Sequence, residues 1–111
     1  MMLPANTRFF LYAEPADMRR GFDRLAAMVE QEAGWDPLAG HAAYLFVNRR
    51  ADRLKMLLWD GDGYLLCYKR LEAGRFAFPD GGHRELSAVD LHLVLEGVVV
   101  TGRRQSKRYQ R

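Results

Sequence analysis

Residues 42–71 read AAYLFVNRRADRLKMLLWDGDGYLLCYKRL, and the alternation of apolar runs with short polar joints in this stretch decides the fold. Ala42 to Asn48 (AAYLFVN), Arg53 to Trp59 (RLKMLLW) and Tyr64 to Leu71 (YLLCYKRL) are strand-like in length and residue type. Between them lie Arg49-Arg50-Ala51-Asp52 and Asp60-Gly61-Asp62-Gly63, joints too short for anything but hairpins, the second rich in residues that tolerate positive φ. The reading is an antiparallel β-meander. Within the middle run Leu54, Met56 and Leu58 share one face, read as the core face, while Arg53, Lys55, Leu57 and Trp59 share the other, read as mixed and outward.

Upstream, Arg8 to Ala13 (RFFLYA) is a short aromatic and apolar run ahead of Pro15, consistent with a buried strand. Met18, Phe22, Leu25, Val29 and Ala33 then recur at spacings of four, three, four and four, which predicts an amphipathic helix with Asp17 as N-cap and Gly34 as its stop. That helix is expected to cover the core face. Gly21 inside its first turns predicts a bent helix start or a close backbone contact. Trp35 to His41, with Asp36-Pro37 and Gly40, reads as a loop. Downstream, the S-x-x-D of Ser87 and Asp90 opens a second short helix over Ala88 to Glu96. The fold class is α+β: an antiparallel meander packed by an N-terminal amphipathic helix, with a second helix near the C-terminus and a basic tail.

At 111 residues the chain has room for one core, assigned to residues 1–102, with 103–111 as a basic, flexible tail. No apolar run approaches the roughly 20 residues of a membrane span, and the N-terminus lacks the pattern of a secretory signal. The cytoplasm is the expected compartment. Of 17 Lys and Arg, five (Arg103, Arg104, Lys107, Arg108 and Arg111) fall in the last nine residues, where there is no acid. The remaining 12 bases face 14 acids. The basic character is therefore concentrated, in the tail and in the adjacent pairs Arg19-Arg20, Arg49-Arg50 and Lys69-Arg70, and such clusters favour polyanions.

Catalytic chemistry has little to build on. Asp60 and Asp62 lack the further oxygen ligands of a cation loop and read as turn residues. His41, His83 and His92 have no nucleophile at a productive spacing, and Cys67, the single cysteine, alternates into a strand face with Leu65 as an inert thiol. No cofactor or metal site is expected. Trp59, Tyr64 and Tyr68 beside basic residues suit base stacking, although their strand positions favour core or cross-strand packing. Arg19 and Arg20 in the first turn of a helix would gain from a bound phosphate; pairing with Asp17 or Asp23 is the alternative, and the sequence leaves both open.

These residues, taken in order, resemble a known family. Asp17-Met18-Arg19-Arg20-Gly21-Phe22-Asp23 with Leu25, then Lys55, Leu58-Trp59-Asp60-Gly61 and Gly63, then Lys69-Arg70-Leu71-Glu72 with Gly74-Arg75-Phe76 and Pro79, are similar to the TnpB accessory proteins of IS66-type bacterial insertion sequences, which are distinct from the RNA-guided nucleases of the same name. The resemblance implies a small non-catalytic accessory factor of DNA transposition, acting beside a larger transposase that carries the strand-transfer chemistry. On that basis the expected partners are DNA and the transposase. Phosphate contacts are assigned to Arg19, Arg20, Arg49, Arg50, Lys69, Arg70 and the five tail bases, giving position rather than sequence reading. The alternative is a protein-binding adaptor or oligomerisation module that docks the transposase or a second copy through Leu57 and Trp59.

Overall fold

The structure, a computed structural model, describes residues 3, 5–77, 81–96, 99–101 and 104–106, the last two ranges as backbone. Strand β1 (Arg8–Tyr12) leads through helix α1 (Phe22–Ala27) and a π-helical turn (Met28–Glu32) into β2 (Ala42–Val47). Strands β3 (Arg53–Trp59) and β4 (Tyr64–Arg70) complete the meander. After them come β5 (Arg84–Glu85), α2 (Ala88–Glu96) and a separate hairpin of β6 (Val99–Thr101) and β7 (Arg104–Ser106). The class is α+β, with a five-stranded sheet in the order β4-β3-β2-β1-β5.

Three of the four pairings are antiparallel, but β1 runs parallel to β2, with Arg8 opposite Ala42 and Tyr12 opposite Phe46. The expected meander of β2, β3 and β4 is antiparallel, and β1 joins it as a parallel neighbour that the sequence did not predict. A parallel partner needs a long crossover, and the segment carrying α1 supplies it. The helix is also shorter than its apolar spacing suggests. Asp17 does not cap it: its carboxylate accepts a hydrogen bond from the Arg19 amide at 2.9 Å, Arg20 N–H donates to Asp17 C=O at 3.1 Å, and the extended Gly21 separates this turn from Phe22. An Asx turn has taken the residues that helical periodicity would recruit.

Both faces of the sheet's central strands are buried. Under α1 and the π-helical turn lie Tyr12, Tyr44, Phe46 and Leu57, packed against Leu25, Ala26, Met28 and Val29. The opposite face carries Leu11, Leu45, Val47 and Leu54, covered by Phe76, Leu86 and Val94 of α2. So α1 covers the face of Leu57, not that of Leu54 and Leu58, and the mixed face of β3 proves to be the larger core. Fully burying each such side chain contributes roughly 1.5–3 kcal/mol, enough to hold a sheet from both sides.

Candidate nucleic-acid interface

The hairpin between β2 and β3 is closed by a backbone bond from Asn48 N–H to Arg53 C=O at 3.1 Å and reinforced by the Asn48 side chain. Asn48 Oδ1 accepts from the Asp52 amide at 3.0 Å and the Arg53 amide at 2.9 Å, while its Nδ2 donates to Asp52 Oδ1 at 2.7 Å. Ala51, at φ 58°, donates its amide to Asn48 C=O at 2.9 Å. The same hairpin anchors the next segment, because the Leu71 amide donates to Asp52 C=O at 2.8 Å and the Phe76 amide to Ala51 C=O at 2.7 Å. With closure done by Asn48 and Asp52, the exposed Arg49 and Arg50 take no hydrogen bond or ion pair among the described residues. Asn48 holds the Asp52 carboxyl below its ordinary range, helped by the nearby Arg50 and Arg53 guanidiniums and opposed by desolvation.

Two contacts bring the turn ahead of α1 beside this hairpin. Ala16 N–H donates to Val47 C=O at 2.9 Å, at the end of β2. Lys55, only 7% exposed, sends its Nζ to the Arg20 carbonyl at 2.8 Å, which is the polar partner a buried ammonium requires. The result is a groove of about 390 Å³ lined by Asp17, Arg19, Arg49, Arg50, Asp52 and Arg53. Four bases face two acids. Arg19 binds Asp17 at 2.7 Å with its side chain 91% exposed, and this pairing holds the Asp17 carboxyl well below the carboxylate range. The guanidinium therefore remains open to a second anion.

Arg53 also sits directly opposite Arg70 on β4. Like charges at such a pair are destabilising, and Arg70 offsets this by binding Glu72 at 2.9 Å. Arg19, Arg49, Arg50, Arg53 and Arg70 thus share one end of the sheet. Arg53 escaped the sequence reading because it begins a strand; its signal was the Arg70 that a closed hairpin places across from it.

Other candidates lie elsewhere. Arg20 is half-buried, its Nη1 at 3.0 Å from Met28 Sδ, and with α1 starting at Phe22 neither Arg19 nor Arg20 occupies a helical first turn. Lys69 faces the other side of the sheet and donates to Leu95 C=O at 3.1 Å. Arg103, Lys107, Arg108 and Arg111 lie outside the described residues, and Arg104 is described only as backbone in β7. Leu57 is 0% exposed beneath α1, so it offers no docking surface, a correction that follows from burial on both faces. Trp59 packs edge-on against Tyr64, its cross-strand partner, with ring centroids 5.1 Å apart. Tyr68 departs from the packing expectation and is 51% exposed.

Asp60 and Asp62 occupy the hairpin at the opposite end of β3, closed by an Asp60 N–H to Gly63 C=O bond of 2.8 Å. The histidines do not converge. His83 stacks on Tyr12 at 4.4 Å and accepts from the Ala13 amide, His92 lies on α2 beside Glu96, and His41 sits in the loop before β2. Among the described residues no group of three or more His, Cys, Asp or Glu is placed to hold a metal ion, and no helix is long and apolar enough to cross a membrane.

Comparison with known proteins agrees with the resemblance drawn from the motifs. Two curated proteins of Sinorhizobium fredii (strain NBRC 101917 / NGR234) are similar. "Uncharacterized protein y4jC" is 36% identical over 93 residues, covering 82% of this chain and 79% of its own length. "Uncharacterized protein y4hO" is 37% identical over 101 residues, covering 87% of each chain. No solved structure matches. The family model of the IS66 Orf2-like proteins matches residues 7–105, a span that includes the whole sheet, both helices and every residue of the groove. The chain belongs to the IS66 Orf2-like family, the transposition-associated accessory proteins of these elements.

Proposed function

We propose that this chain is a non-catalytic accessory factor of IS66-type transposition that grips DNA through its phosphates, with the transposase of the same element as its second partner. The observation that carries the reading is the pair Arg49 and Arg50, exposed at the tip of a hairpin that Asn48 and Asp52 close without them. Arg19 and Arg53 flank that tip in the same groove, and Arg70 extends it along β4. Guanidinium groups bind phosphate oxygens in a planar, two-pronged geometry, so this end of the sheet suits a nucleic-acid backbone better than a single small anion. The tail bases Arg103, Arg104, Lys107, Arg108 and Arg111 add charge of the same sign. Such contacts fix register and orientation but carry no sequence information.

The test is a fluorescence-anisotropy titration of two labelled duplexes, one from an element end and one unrelated, with wild type and with Arg49→Gln/Arg50→Gln. Loss of two phosphate contacts weakens binding about 10- to 100-fold at low salt, by a similar factor on both duplexes. Unchanged affinity in the double variant overturns the reading. Capture of the transposase by immobilised protein, with and without DNA, tests the second partner.

A further inference from the structure

We propose that Tyr68, flanked by Arg53 and Arg70, is a stacking platform for an unpaired base of single-stranded DNA. This inference rests on the DNA-binding reading above and names a form of DNA for that same end of the sheet. Tyr68 lies on the face of β4 that α1 covers further along, yet the cover stops short of it and leaves 51% of the residue exposed. Its neighbours on that face are Arg70, two residues on, and Lys55 and Arg53 of β3.

The ring is exposed but held. Lys55 Nζ lies 4.9 Å from its centroid, and Arg53 Nη1 donates to its hydroxyl at 3.3 Å. An aromatic ring kept in one orientation loses little entropy when a flat partner arrives, and every nucleobase offers a π-face irrespective of sequence. Arg53 and Arg70 beside it are cross-strand neighbours, their Cβ atoms about 5 Å apart; Glu72 binds Arg70 at one side, and an anion between the two guanidiniums would relieve the like-charge pair further. A strand with its base on Tyr68 brings its own phosphates to that position.

Duplex DNA cannot use the ring in this way, because its base faces are already stacked. The groove arginines therefore serve both forms of DNA, whereas Tyr68 serves only the unpaired one. That separation makes the inference testable apart from the reading beneath it.

The experiment is an anisotropy titration of the full chain against a labelled oligothymidylate of about 20 nucleotides and a duplex of equal length. Tyr68→Leu keeps apolar bulk and removes the ring; it is expected to weaken oligothymidylate binding about 5- to 100-fold and to change duplex binding less than about twofold. Tyr68→Phe keeps the ring and is expected to retain most of the single-strand affinity. Tyr68→Trp supplies a second measurement should the leucine variant fail to fold: its added fluorescence is quenched by oligothymidylate and not by duplex. Equal oligothymidylate affinity for wild type and Tyr68→Leu, or no quenching in Tyr68→Trp, overturns the platform while leaving duplex binding in place. Arg49→Gln/Arg50→Gln binding both DNAs like wild type overturns the underlying reading instead.

Discussion

The two hairpins at the ends of β3 belong to one sheet, one joining β3 to β2 and the other to β4, but they are closed in different ways. At Asp60–Gly63 the backbone closes the turn itself, with Gly61 at φ 83° and a single amide-to-carbonyl bond, and Asp is a residue type such turns favour. At Asn48–Arg53 the backbone bond from Asn48 N–H to Arg53 C=O at 3.1 Å is reinforced by a side-chain network centred on Asn48, with Ala51 carrying the positive φ. Charged residues that build a turn are explained by the turn. Arg49 and Arg50 build nothing there, and unexplained exposed cations are the better pointer to a ligand than conspicuous acids.

Asn48→Ala is the change that most sharply tests this contrast. It leaves the Asp52 and Arg53 amides without their acceptor and frees the Asp52 carboxylate, a loss of about 2 kcal/mol in equilibrium denaturation. A loss below about 0.5 kcal/mol would mean that the strands, not Asn48, hold the basic hairpin shut. In the acidic hairpin, Gly61→Ala costs about 1 kcal/mol for its left-handed φ alone, because nothing lies within 4 Å of the added Cβ. A larger loss would reveal packing at a turn that presents none.

The basic hairpin also responds to acid. Asn48 depresses the folded Asp52 pKa relative to an unfolded value of about 3.9, so the unfolded chain takes up this proton first. The contribution is complete above that unfolded value and is lost as pH falls through the lower folded one. Asp17, held down by Arg19, acts in the same direction. Asp52→Asn should therefore reduce the difference between stabilities measured at pH 6 and pH 3. An unchanged difference would show that Asp52 titrates alike in both states. Smallest of all, Asp60→Asn/Asp62→Asn should shift stability by less than about 0.5 kcal/mol and leave DNA affinity intact, since Asn keeps the turn propensity. A metal-dependent activity lost in that variant would contradict the non-catalytic reading.

Much of this architecture was legible in the amino-acid order. The span Arg53–Trp59 of β3 and Ala88–Glu96 of α2 coincide with the expected elements, because tight turns and the Ser87 cap mark their ends locally; the Asp90 amide donates to Ser87 Oγ at 3.1 Å. What a period of two cannot report is which strand lies alongside, so the parallel pairing of β1 escaped. Nor does it say how many faces are covered. Leu57 looked outward only because Arg53, Lys55 and Trp59 share its parity, yet Lys55 reaches its carbonyl partner at the rim and leaves Leu57 to the core. The groove was half visible: Arg49 and Arg50 stand out in sequence, but their neighbour Arg19 is brought in by the Ala16 to Val47 bond, a tertiary contact with no local signal.

The central claim, that Arg49 and Arg50 are reserved for phosphate and not for folding, is tested most directly by the salt dependence of duplex binding. Wild type and Arg49→Gln/Arg50→Gln are titrated at several salt concentrations after thermal denaturation has confirmed stabilities within about 0.5 kcal/mol of each other. Removing two phosphate contacts should make the slope of log K against log[salt] shallower by about 1.8. Identical slopes in the two proteins, with stability unchanged, would contradict the account.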